Sequence, residues 1–156
     1  MRLRFLLLSV AFVFFIGLEA SQDIASMEKR LQKLVDHERS KYRLKPLETS
    51  SILVYYARQH SQNMAQYRVD FGHGGFEKRA SAIAEKSWVS SVGENVAYCY
   101  LMEDPLKAAV EGWMKSYSHR KNILGDYELT GVAIAYSRDG RCYMTQLFAK
   151  RVESGK

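Results

Sequence analysis

The chain has little that would clamp it or break it. Its 156 residues hold only two prolines and two cysteines, which excludes a collagen-like or proline-rich chain and a small domain stapled by several disulfides. After Leu18 no apolar run reaches spanning length, no basic run exceeds two residues, and there is no internal repeat or low-complexity tract. Multi-span membrane proteins, solenoids and disordered tails are therefore set aside. The formal net charge is +6, but without a basic stripe or a known module nucleic acid is not an expected partner. Local catalytic signatures are missing as well. His37-Glu38-Arg39-Ser40-Lys41 lacks the second histidine of the helical zinc-protease motif, and no Gly-x-Ser-x-Gly elbow, phosphate loop, dinucleotide fingerprint or clustered Cys-His spacing occurs.

What is there begins with a leader. Arg2 and Arg4 precede an apolar run from Phe5 to Leu18, and Leu18-Glu19-Ala20 offers a small residue before polar sequence from Ser21. That layout is a secretory signal peptide over residues 1–20, too short as a helix for the ~30 Å hydrocarbon core. Cleavage removes Arg2, Arg4 and Glu19, leaves a net charge of +5, and puts the mature chain outside the cytoplasm, extracellular or periplasmic. The remainder reads as a short segment over 21–27, one domain over 28–150, a tail over 151–156, and a monomer. In an exported chain Cys99 and Cys142 are read as one disulfide closing a loop of about forty residues; the other reading is two buried free thiols.

Helical spacing of Met27, Leu31, Leu34 and Val35 predicts an amphipathic helix over about 26–42, ended by Leu44-Lys45-Pro46-Leu47. Thr49, Ser50 and Ser51 offer N-caps to a second helix carrying Leu53, Tyr56, Ala57, His60 and Met64. A glycine loop over 70–75 leads to a weaker helix over 76–85, then a loop from Trp88 into a strand around 94–100. Asp104 caps the strongest helix, with Pro105 at its first position and Leu106, Ala109, Val110, Trp113, Met114 and Tyr117 on one stripe. Alternation at 131–136 and the Asp139-Gly140 pair predict a hairpin with a two-residue turn, pairing Tyr136 with Tyr143, Ile134 with Thr145 and Val132 with Leu147. The result is a layered α+β domain.

Four histidines occur: His37, His60, His73 and His119. His37 and His60 lie on helices and read as solvent or core-edge residues. His73, between Gly72 and Gly74, can approach a ligand without obstruction. His119 follows the long helix, and Glu94 stands in Gly93-Glu94-Asn95 at a strand start. Cys99 has no local base or cation that would form a thiolate.

Several segments, taken in order, resemble the CAP superfamily, the cysteine-rich secretory and pathogenesis-related proteins. They are Leu34-Val35-Asp36-His37-Glu38-Arg39 with Lys45-Pro46-Leu47, then Leu53, Ala57, Met64 and Ala65, then His73, and Gly93-Glu94-Asn95-Val96-Ala97. Trp113-Met114-Lys115-Ser116 and Ser118-His119-Arg120-Lys121-Asn122-Ile123-Leu124 follow, with Gly131-Val132-Ala133 and Tyr143 to Ala149 closing the run. The resemblance implies a three-layer α/β/α sandwich with a small antiparallel sheet between helices, and a cleft of two histidines and two acids. His73, Glu94 and His119 match three of those positions. The fourth falls at Ser116, where animal and plant members carry glutamate, and the compact form looks bacterial.

Family members are described as secreted modules that bind divalent metals, sterols or other lipids, or partner proteins, so the resemblance implies a secreted binding or interaction module rather than an enzyme. No cofactor is required. Weak, reversible zinc at His73 and His119, with Glu94 as third ligand or as partner of a ligand, is expected. Two alternatives stay open. One is a lipid- or sterol-binding protein with Trp88, Tyr98, Tyr100 and Tyr117 along a groove. The other is a hydrolase with His73 or His119 as base, Glu94 as orienter and Ser116 or Ser118 as nucleophile. The expected partner is a protein, a lipid or a cell-envelope ligand.

Overall fold

The computed structural model describes residues 23–152; the signal-peptide reading falls on residues outside that range. Helix α1 covers residues 23–41. It is followed by β1 (Glu48–Thr49), α2 (Ser51–Ala65), α3 (Phe76–Lys86), β2 (Val89–Cys99), α4 (Pro105–Lys115), α5 (Tyr117–Ile123), β3 (Leu129–Tyr136) and β4 (Cys142–Arg151). The four strands lie in the order β1-β3-β4-β2. The pairs β3–β4 and β4–β2 are antiparallel, and the short β1 adds a parallel contact to β3, a strand that the sequence reading did not contain.

The sheet is the middle layer of an α/β/α sandwich. One face packs Val132, Ile134, Met144 and Phe148 against Leu31 and Val35 of α1, Leu106, Val110 and Trp113 of α4, and Ile123 of α5. The other packs Ala133, Leu147 and Ala149 against Leu53 and Ala57 of α2 and Ile83 of α3, with Val96 and Tyr143 against Met64 and Ala65. Gly131 explains how closely α2 approaches: a Cβ there would lie 2.2 Å from the Leu53 backbone carbon. Arg39, almost fully buried, donates to the carbonyls of Lys45, Ile123, Gly125 and Tyr127 at 2.7–3.3 Å and ties the exit of α5 to the end of α1.

Several expectations need correction. β2 starts at Val89, so the expected loop after Trp88 is already strand. The stripe read as one helix through Tyr117 breaks at Ser116, whose extended backbone (φ −85°, ψ 125°) ends α4 and starts α5. The hairpin register is one residue off the expectation: Tyr136 faces Cys142, Ile134 faces Met144 and Val132 faces Gln146. The cause is the turn. Ser137 N–H donates to Arg141 O, Gly140 N–H to Ser137 O, and Gly140 has φ +83°. The connection is thus a three-residue loop with a left-handed glycine rather than a two-residue turn. One residue of slip exchanges faces, so Met144 packs toward α1 and α4 while Ala133 lies toward α2 beside Leu147.

The disulfide expected between Cys99 and Cys142 is not formed; both are free, buried thiols, although they face each other across β2 and β4. The register makes them a pair that exchanges ladder hydrogen bonds. Asp104 caps α4 as expected, accepting from Lys107 N–H at 3.2 Å.

Gly131→Ala is expected to destabilise the domain by about 3 kcal/mol or more, because backbone, not a flexible side chain, stands in the way. Gly112→Ala, on α4 with open space around its Cβ, is expected to stabilise by roughly 0.5–1 kcal/mol. Paired urea melts of the two variants check both signs.

Candidate functional site

β2 is the outer strand on one side of the sheet, and the candidate residues gather around its free edge. Glu94 points toward the α2–α3 layer and is buried at 4% exposure. A carboxylate cannot stay ionised there alone. Arg79 of α3 meets it through Nε and Nη2, with four N–H···O contacts between these two residues and the nearby chain at 2.8–3.0 Å: three to the Glu94 oxygens and one from Nη1 to the Gly74 carbonyl. One guanidinium therefore holds both the carboxylate and the loop that carries His73.

Glu94 Oε1 also takes the His73 ring at 3.0 Å through Nδ1. Because the carboxylate can only accept, His73 carries its proton on Nδ1 and leaves Nε2 as a lone pair. That lone pair faces Nε2 of His119 at 3.4 Å. The two rings lie 5.6 Å apart and are inclined by 35°.

His119 arrives from the opposite helical layer, held by backbone contacts. Asn95 Nδ2 donates to the His119 carbonyl at 3.1 Å, and Asn122 Nδ2 donates to Asn95 Oδ1 at 2.9 Å and to the Glu94 carbonyl at 3.0 Å. Trp113 Nε1 donates to the next outward carbonyl, Val96 O, at 2.9 Å. The strand edge that would otherwise template another chain is thus occupied by side chains of α4 and α5. Gly93 leaves room for them, since a Cβ there would sit 2.8 Å from the Tyr127 hydroxyl and 2.9 Å from Asn122 Oδ1.

The geometry brings His73, Glu94 and His119 together. It does not bring in Ser116, whose hydroxyl faces Ser118 Oγ at 3.3 Å; among the described residues neither hydroxyl is hydrogen-bonded to an imidazole. Glu94 bonds to the Nδ1 side of His73, away from Nε2, so of its two expected roles the geometry supports partner of a ligand rather than third ligand. The four aromatics considered for a groove are not core residues. Trp88 is 88% exposed at the start of β2, Tyr98 and Tyr100 are half-exposed at its other end, and Tyr117 is exposed at the first position of α5. Roughly 30 Å of strand separates Trp88 from Tyr98 and Tyr100, so the four do not line one groove.

Sequence reasoning missed Arg79, which reads as one more solvated cation on a polar helix. The available signal was Glu94 itself, because an acid beside the buried Val96 needs a counter-charge. It also assigned His60 no role. His60 is buried, and its Nε2–H donates to the Gly72 carbonyl at 2.8 Å, pinning the His73 loop from α2. Burial, and then the Arg79 charge, hold the His60 pKa below the ordinary value, and burial followed by His73 does the same for His119.

The model of the cysteine-rich secretory protein (CAP) family matches residues 32–148. The chain belongs to the CAP family. Among curated relatives it is 30% identical over 134 residues to the uncharacterized protein YkwD of Bacillus subtilis, spanning 84% of this chain and 50% of that one. It is 35% identical over 130 residues to the uncharacterized membrane protein YlbC of the same organism, spanning 80% and 34%. The chain thus spans half or less of the length of these relatives. Among solved structures, an extracellular SCP-domain protein of Bacillus anthracis superposes with TM-score 0.66 at 25% identity, over 84% of this CAP chain and 42% of that one. An outer surface protein of Borrelia burgdorferi gives 0.68 at 21% identity, over 81% and 94%; at that identity it bears on the fold alone.

Arg79→Met is expected to cost about 3–5 kcal/mol, because it leaves the Glu94 charge buried and unpaired; the Arg79→Met/Glu94→Gln double variant should recover much of the loss. Denaturant melts at pH 7 read both. The lowered His60 and His119 pKa values mean that the unfolded chain binds more protons below the usual imidazole value of about 6.5. Stability is therefore full above that pH and falls as pH drops below it. His60→Gln should flatten this acid limb in melts taken between pH 7 and 5.

Proposed function

We propose that this CAP domain is an exported binding module whose His73–His119 pair takes a divalent zinc ion weakly and reversibly. The observation that carries the reading is the facing of two imidazole Nε2 atoms at 3.4 Å across the edge of β2. Two nitrogens at about 2.0–2.1 Å from one tetrahedral zinc stand roughly 3.3–3.4 Å apart, so the pair fits half of such a site without moving. Glu94 supports it by fixing the proton of His73 on Nδ1, as a carboxylate behind a metal-bound histidine does. Binding requires His119 to carry its proton on Nδ1 in turn, and its lowered pKa favours the neutral ring.

Weakness follows from what surrounds the pair. Arg79 neutralises Glu94, and Ser116 supplies no second carboxylate. Among the described residues no group of three or more His, Cys, Asp and Glu could hold a metal ion. Water or an atom of a bound partner would complete the shell, which suits an interaction module better than a structural zinc. Export is supported by the leader-like residues 1–20 and by the extracellular SCP-domain neighbour at 25% identity. The partner is a protein or envelope component presented outside the cytoplasm. The hydrolase reading lacks a serine–imidazole contact, and the lipid reading lacks a single groove.

Calorimetric titration with zinc at pH 7.5 tests the proposal. Wild type should bind one ion with affinity in the micromolar range or weaker, and affinity should fall as pH drops below about 6.5, where imidazoles protonate. His73→Ala and His119→Ala should abolish binding, and Ser116→Glu should tighten it. Unchanged binding in both alanine variants would remove the cleft as the metal site.

A further inference from the structure

His73 sits in a segment with little of its own to hold it. Residues 66–75 form neither helix nor strand, and all but Gly72 are exposed. Gly72, next to His73, has φ +138°, a conformation that glycine alone adopts readily. Where the imidazole lands is therefore set by what the segment is tied to. Two ties are main-chain, the Gly72 carbonyl on His60 and the Gly74 carbonyl on Arg79. A third lies outside the cleft. Phe71, two residues before His73, meets the Tyr98 ring edge-on, with centroids 4.9 Å apart and planes at 75°. It also lies 6.4 Å from the Tyr143 ring.

The sheet builds the seat under Phe71. Tyr98 and Tyr143 are partners across β2 and β4, with rings 6.0 Å apart and inclined by 29°. Asn122 and Trp113 take the carbonyls of Glu94 and Val96, so the even-numbered positions of β2 turn their main-chain groups away from β4. Tyr98–Tyr143 is thus a non-hydrogen-bonded pair, the kind whose side chains lie closer. Tyr143 is buried with Met64 and Ala65 of α2, which leaves the seat little room to shift. Tyr98 shares a face of β2 with Glu94, because side chains alternate along a strand. One strand therefore grips the segment at two points, Phe71 through Tyr98 and His73 through Glu94. The His73 side chain is half-exposed, so its bond to Glu94 competes with water and holds little alone. The aromatic contact fixes where along β2 the segment lies, and hence whether that bond can form.

We propose that Tyr98 is a positioning residue of the histidine cleft: with Phe71 seated on its ring, it keeps His73 Nε2 within zinc-sharing distance of His119. The effect on affinity rests on the zinc reading above; the effect on the His73 ring does not. Without the aromatic contact the segment is free to slide along β2, His73 leaves Glu94, and the two Nε2 atoms separate. Metal binding must then restore an arrangement that the intact cleft holds in advance. Phe71 and Tyr98 are both half-exposed, so the cleft depends on their contact more than global stability does.

Zinc calorimetry, nitrogen-15 NMR of the His73 ring and amide hydrogen exchange test the proposal together. Phe71→Ala and Tyr98→Ala should each weaken zinc binding by about 5- to 10-fold. The double variant should lose no more than either single one, since both remove the same contact. Tyr98→Phe keeps the ring and should restore binding to within about twofold of wild type. Without zinc, both alanine variants should speed exchange at His73 and Gly74 by about 10-fold and mix the His73 ring between Nδ1–H and Nε2–H forms, with urea midpoints close to wild type. If wild type takes no zinc, the zinc reading fails, and the metal-free exchange and ring form still decide the role of Tyr98. Unchanged exchange and ring form in both alanine variants overturn the proposal, and so do affinity losses that add in the double variant. A lowered urea midpoint with the His73 ring unchanged overturns it too, by making the contact merely structural.

Discussion

A carboxylate on the edge strand of a small sheet, cut off from water, has to be neutralised by something, and here the Arg79 guanidinium does it. The Glu94 side chain is 1% exposed and that of Arg79 12%, so the pair sits where removal of either charge leaves the other stranded. Its consequences reach past the pair. The same guanidinium holds Gly74 O, the same carboxylate orients His73, and His60 secures the adjacent Gly72 carbonyl from beneath. The free Nε2 of His73 is thus set by an ion pair that itself touches no ligand.

The second half of the cleft depends on how the sheet edge is closed. α4 ends at Ser116, and α5 turns back so that Asn122 and His119 reach β2. Asn122 and Trp113 take the outward carbonyls of Glu94 and Val96, which blocks strand addition and fixes how close α5 lies. Arg39 anchors the other end of α5 through Ile123 and Gly125. Two helical layers that never meet through the sheet therefore meet around its edge, and the imidazoles face each other there. The CAP family's short motifs are the residues that make this closure: Gly93 for clearance, Asn95 and Asn122 as the link, and Trp113 as the cap.

Much of this was legible in the sequence, and the failures have physical causes. α1, α2 and α4 announce themselves because each buries one stripe at helical spacing, and Asp104-Pro105 marks a start that the structure keeps. The hairpin was visible from Asp139-Gly140, but its register was not. A two-residue turn and a three-residue loop with a left-handed glycine share that dipeptide, and they send opposite side chains to each face. Arg79 was invisible because a cation on a polar helix looks the same whether it meets water or a buried acid. The meeting of His73 and His119 could be read only through family resemblance, since nothing in a separation of 46 positions encodes proximity.

The central claim is that the Glu94–Arg79 pair fixes one imidazole so that two Nε2 atoms share a cation. Long-range nitrogen-15 NMR of the histidine rings tests it most directly, before and during addition of zinc. The account predicts His73 in the Nδ1–H form without metal, and zinc-dependent shifts at Nε2 of both His73 and His119 in equal proportion. An Nε2–H form of His73, or a shift confined to one of the two rings, would contradict it.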